Sequence, residues 1–101
     1  MESSGISSSM RYKQDSLLDK KFEALSNGTR LAIIGLLKKQ PLYAGEIANY
    51  CSTSFASMSH HLKKLEQSNL IVVEKMGQHR KYMLNGKAFE GIYLWISDLI
   101  E

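Results

Sequence analysis

The chain has 101 residues, is 44% hydrophobic, and carries a net charge of +3 with a pI near 9.0. That length suits one domain, and that apolar share is enough for a core, which excludes a wholly disordered chain. No apolar run approaches the roughly 18 to 20 residues of a membrane-spanning helix, and the single cysteine, Cys51, excludes an internal disulfide and a multi-cysteine metal cage.

Residues 1–14 hold five serines, a glycine and no helical period. They are expected to be a flexible arm ahead of a domain over 15–101. They contain no apolar signal-peptide core, so a soluble cytoplasmic protein without membrane contact is expected. A first helix is predicted from Ser16 to Leu25, capped by Ser16, with Leu18, Phe22 and Leu25 at helical spacing. Asn27-Gly28 breaks it. A second is predicted over 29–39, with Leu31, Ile34 and Leu37 along its apolar side and Ile33 and Leu36 widening it. Lys38 and Lys39 suit its C-terminal dipole, and Pro41 stops it.

A short third helix is predicted over 43–51, with Ala44, Ile47, Ala48 and Cys51 on one face. Ser52, Thr53 and Ser54 make a tight turn, and Ser54 caps a fourth helix over 55–68. Asn69 ends that helix. Two strands, 70–76 and 79–84, flank the turn signal Gly77-Gln78, and Asn85-Gly86 closes the hairpin. A last helix is predicted over 87–100. The fold class is therefore mainly α with a β-hairpin, in the order α-α-α-α-β-β-α, which is a winged helix-turn-helix pattern.

The charge is uneven. Residues 60–87 carry six basic and two acidic groups together with all three histidines, whereas residues 88–101 carry three carboxylates and no cation. A localised basic patch attracts polyanions. On a helical wheel Met58, Leu62 and Leu65 of the fourth helix fall within about 60° of one another, with Phe55 beside them, and make the core face. Ala56, Ser59, His60, Lys63, Lys64 and Gln67 fill the opposite side, which has no carboxylate. Small, hydrogen-bonding and cationic residues suit the major groove of double-stranded DNA. Ser54 and Ser57 at the helix start join this candidate set. Lys75, Gln78, His79, Arg80 and Lys81 surround the hairpin tip, opposed only by Glu74, and suit a flanking minor groove or its phosphates.

No Ser/His/Asp arrangement with a glycine elbow and no phosphate loop is present, so an enzyme is not expected and no catalytic residue or cofactor is assigned. A winged helix can also serve as a protein-interaction module. Such a module exposes apolar anchors, whereas the outward face of the fourth helix is polar.

Three segments carry a family resemblance. Residues 22–34, from Phe22-Glu23-Ala24-Leu25-Ser26-Asn27-Gly28-Thr29-Arg30-Leu31 to Ile34, resemble the "ALSNPTRLxIL" opening of the ArsR/SmtB family of winged-helix repressors. Ser59-His60-His61-Leu62-Lys63-Lys64-Leu65 resembles its "SHHLKKL" recognition helix. Residues 77–84 are similar to its wing, "GRxxYYxL". The match runs over 16–100 in order. It implies a homodimeric repressor on an inverted-repeat operator, with the first and last helices at the dimer interface. That places Leu17, Leu18 and Phe22 there, with Phe89, Ile92, Tyr93, Leu94, Trp95, Ile96 and Leu99. The last helix supports this on its own terms: eight of the twelve residues 89–100 are apolar, too many for one buried face.

Two departures matter. Gly28 stands where the family has proline, which should loosen the entry to the second helix without abolishing it; Phe55 and Ala56 stand where the family often has polar residues, so direct base contacts are not expected at those two positions and sequence preference is expected to differ. The metal sites of such repressors need a Cys-x-Cys pair on the third helix or histidines on the last. Here one thiol stands at Cys51 and no histidine follows His79. No metal site is therefore expected, and a metal or redox response through an atypical site is the alternative. Missing ligands and an aromatic final helix resemble the non-metal, SdpR-like branch, which implies autorepression and a protein partner that relieves it.

Overall fold

A computed structural model describes residues 15–101; the Ser-rich arm, 1–14, lies outside the described residues. The described chain has five α-helices, a 3-10 turn and a three-stranded antiparallel sheet: α1 (Leu18–Ala24), α2 (Gly28–Lys39), β1 (Leu42–Tyr43), α3 (Ala44–Cys51), α4 (Phe55–Gln67), β2 (Ile71–Met76), β3 (His79–Leu84), the 3-10 turn (Gly86–Phe89) and α5 (Glu90–Ile100). The winged helix-turn-helix order holds.

The start of α1 is held by Asp15 and not by Ser16. Asp15 Oδ1 accepts from the Leu17 backbone N–H at 3.0 Å, and Oδ2 pairs with Lys21 Nζ at 2.6 Å. A carboxylate outcompetes a hydroxyl beside the positive end of a helix. The same residue lies hard on α5, since a Cβ at Gly91 would sit 2.5 Å from Asp15 Oδ2. Glycine at 91 is what lets the two ends of the domain touch.

On α2, Asn27 accepts from Arg30 N at 3.1 Å and caps the helix. Its buried line is Arg30, Ile33 and Leu37, spaced i, i+3, i+7. Leu31, expected on the apolar side, is 52% exposed. A buried arginine takes one place on that face and rotates the helix about it.

The strand β1 falls where the sequence showed only the approach to a helix. It pairs with β3, Leu42 against Tyr82 and Tyr43 against Lys81, and β3 pairs with β2 from Ile71–Leu84 out to Met76–His79. The order is β1-β3-β2. Gly77 takes φ +66 at the first of two central residues, where any side chain would be strained. At the hairpin base Asn85 N donates to Leu70 O at 3.0 Å, and Asn85 Nδ2 to Asn69 O at 2.9 Å. The last helix begins later than expected, because residues 86–89 form the 3-10 turn.

The core gathers Ile33 and Leu37 of α2, Ile47 of α3, Met58, Leu62 and Leu65 of α4, Leu70, Ile71 and Tyr82 of the hairpin, and Ile92 of α5. Ile47 is fully enclosed. Ile47→Ala should lower the free energy of unfolding by about 2–5 kcal/mol, read by urea denaturation followed by circular dichroism.

Candidate nucleic-acid interface

Ser54 Oγ accepts from Ser57 N at 3.1 Å, which starts α4 at Phe55 as its sequence predicts. Met58, Leu62 and Leu65 turn inward, and Ala56, Ser57, Ser59, His60, Lys63 and Gln67 are exposed. Ser54 is exposed too. At the hairpin tip Lys75, Gln78, His79 and Arg80 are exposed, with Lys75 directly across from Arg80.

Between α4 and the hairpin runs a groove of about 660 Å³. Ser59, Lys63 and the carboxylate Glu66 form one wall, and Gln78, His79 and Arg80 form the other, over Tyr43, Met58, Leu62 and Tyr82. Two cations from non-adjacent elements thus face one channel. The edge of Tyr43 meets the His79 ring at a centroid distance of 5.9 Å, so β1 helps aim the hairpin.

Two expected cations have partners within the chain. Lys64 Nζ pairs with Glu23 Oε2 of α1 at 3.1 Å, and Lys81 Nζ lies over the Tyr43 ring at 5.8 Å from its centroid. Both are half-buried. Helix packing accounts for the first and the β1–β3 pairing for the second; neither partner is visible from the wheel or the hairpin pattern. Phe55, expected beside the core face, is 68% exposed at the edge of the groove. It lies in the first turn of α4, beyond the reach of the core.

The residues that hold α4 in place were not legible as such. Arg30 is buried, and its Nε donates to Ala24 O at 2.7 Å, its second terminal nitrogen to Glu23 O at 3.5 Å. Its first terminal nitrogen meets His61 Nδ1 at 3.1 Å. An arginine only donates, so His61 Nδ1 accepts, and the ring is neutral with its proton on Nε2. Burial pushes the His61 pKa below its ordinary 6.5, and the charges of Arg30 and His60 push it the same way. The nearest sequence signal was Arg30 itself, a cation in an otherwise apolar helix just after a helix end.

A second surface lies on α5. Ile92 is used in the chain's own core, and Trp95 meets Phe22 edge-on at 5.4 Å between centroids. Leu17, Leu18, Phe89 and Leu94 are half-buried, while Tyr93, Ile96, Leu99 and Ile100 are exposed. Ile100 was not among the expected interface residues.

A helix-turn-helix domain profile matches residues 25–74. The chain is 37% identical over 79 residues to the transcriptional repressor SdpR of Bacillus subtilis (strain 168), covering 78% of this chain and 88% of SdpR. Over 76 residues it is 34% identical to the arsenical resistance operon repressor of Staphylococcus xylosus, covering 75% of this chain and 70% of that protein. The crystal structure of an ArsR family transcriptional regulator superposes with a TM-score of 0.77 at 28% identity, over 82% of this chain and 86% of that one. The chain belongs to the ArsR family. In the winged helix-turn-helix order of this family α4 is the second helix of the helix-turn-helix and the β2–β3 hairpin the wing.

Among the described residues of this ArsR chain, no three histidine, cysteine or carboxylate side chains gather as a metal site. Cys51 is half-buried against the core, and burial raises its thiol pKa. This favours the neutral thiol over the reactive thiolate.

His61 ties stability to pH. Its native pKa lies below its unfolded one, so the unfolded chain binds the extra proton as pH falls. Stability should therefore be full above about pH 6.5 and decline as pH drops below it. Urea unfolding between pH 7.5 and 5 should show that slope, and His61→Gln should flatten it.

Proposed function

We propose that this chain is a sequence-specific DNA-binding transcriptional repressor that acts as a homodimer on an inverted-repeat operator. The observation that carries the reading is the exposed polar face of α4 set beside the cationic hairpin tip, with Lys63 and Arg80 lining one groove in which Glu66 is the carboxylate. A helix of this kind fits the major groove, with its early residues nearest the bases. Ser59, His60 and Gln67 carry the groups that read base edges. Lys63, Lys75 and Arg80 neutralise phosphates, and Gln78 and His79 carry the wing toward the flanking minor groove. Lys64 and Lys81 add positive potential from their internal positions.

Two copies join through α1 and α5. Tyr93, Ile96, Leu99 and Ile100 form an exposed apolar strip on an eleven-residue helix whose inner side already fills the core. Strips of this kind are covered in assemblies. A dimer with two-fold symmetry places two copies of α4 one DNA turn apart, which calls for a palindromic site. The single thiol and the lack of histidine after His79 support control by a protein partner that sequesters the repressor, in place of a metal inducer.

Selection of bound sequences from a random duplex library tests the reading, and an enriched inverted repeat is the expected result. Binding should fall steeply with salt, with a slope of log K on log salt of about −0.9 per phosphate contact. Lys63→Ala and Arg80→Ala should weaken cognate and random DNA alike and make that slope shallower by about one contact each. His60→Ala should weaken cognate binding by about 1–3 kcal/mol and relax preference at one position. Equal loss on random DNA would reject base reading by His60.

Leu99→Asp should convert the dimer to a monomer by light scattering with the helical circular dichroism signal retained. Leu99 is a better probe than Trp95, which packs on Phe22 of its own chain. An unchanged dimer mass would reject this face.

A further inference from the structure

Phe55 is the first residue of α4 and is 68% exposed. Among the described residues of that helix it is the one large apolar side chain left open. Exposed apolar residues are ordinary on protein surfaces, so exposure alone carries nothing. Position gives it meaning. The Ser54 cap fixes the backbone from which the ring emerges. Ala56 is exposed beside it, and Ser59 follows one turn later on the same flank. Phe55, Ser59 and Lys63 line the groove that faces the hairpin. An aromatic ring therefore stands where a recognition helix first meets the bases.

Phenylalanine has no donor or acceptor, so it cannot read the hydrogen-bond pattern of a base edge. The major groove offers one apolar group on a base edge, the C5 methyl of thymine. We propose that Phe55, with Ala56 beside it, reads thymine C5 methyl groups in the major groove and sets a thymine requirement in each half-site. Ser59 and His60 then supply the hydrogen bonds to neighbouring bases, and Phe55 supplies an apolar contact that the polar face lacks.

The inference rests on the DNA-binding reading, and its test separates the two. The full-length wild-type protein is first used to select a site from random duplexes. Each thymine of that site is then replaced by deoxyuridine, which removes the methyl and leaves base pairing intact. A single replacement at either of one symmetry-related pair of positions should lower wild-type affinity about threefold to fivefold, the size of losing one buried methyl group, and replacement at both should lower it about fifteenfold. Phe55→Ala should bind the thymine site more weakly than wild type and change less than twofold on the same replacement. Phe55 is exposed, so this variant should keep wild-type circular dichroism. The deoxyuridine scan on the wild-type protein also stands without it. Indifference of the wild type to every replacement, a selected site without thymine, or a Phe55→Ala protein as methyl-sensitive as wild type would each overturn the inference while leaving DNA binding in place. Failure to select any sequence would overturn the proposed function and this inference with it.

Discussion

The Arg30 guanidinium is the point at which three helices are tied together. It grows from α2, donates to the last carbonyls of α1, and meets His61 on α4. Helix ends leave carbonyls without partners and carry partial negative charge, so a cation placed there is stabilised. A buried cation is tolerated only when its N–H groups are used, and here the partners come from two other elements. One side chain thereby links α4 to α1 and α2, beside the core packing of Met58, Leu62 and Leu65 and the Lys64–Glu23 ion pair. His61 must stay neutral to accept from arginine, which divides two adjacent histidines into different roles: His61 faces inward to hold the helix, and His60 faces out.

The second constraint is the short strand β1. Two residues pair with β3 and give the hairpin a third strand at its base. An isolated hairpin is marginal in water, and a third strand with a buried face is enough to hold it. Tyr43 adds contacts to His79 and Lys81. The wing is thereby aimed along α4, and the groove between them has cations on both walls. The helix supplies Lys63, the hairpin supplies Arg80, and the strand sets their relation.

The core closes at Ile92, one residue of a helix that has more apolar side chains than one face can use. Trp95 packs on Phe22, and Tyr93, Ile96, Leu99 and Ile100 stay exposed. The exposed apolar strip of α5 is opposite in character to the polar face of α4.

Much of this was legible in the sequence. The periodic runs, the Ser54 cap, the Gly77-Gln78 turn and the hairpin strands were all read from local pattern, because helix spacing, capping and turn chemistry act over a few residues. The outward set of α4 followed from its wheel for the same reason. Other features depended on partners distant along the chain. Asp15 replaced Ser16 at the start of α1 through its ion pair with Lys21 and its contact with α5. Leu31 left the apolar face because Arg30 occupied it. Lys64 and Lys81 turned to Glu23 and Tyr43, and β1 existed only because β3 returned beside it. The sequence by itself determined the five helices and the two hairpin strands, the family, and which face of α4 is polar. Tertiary structure alone decided which cations remain open, which histidine is internal, and where Phe55 stands, because each of those depends on contacts between residues that local periodicity does not bring together.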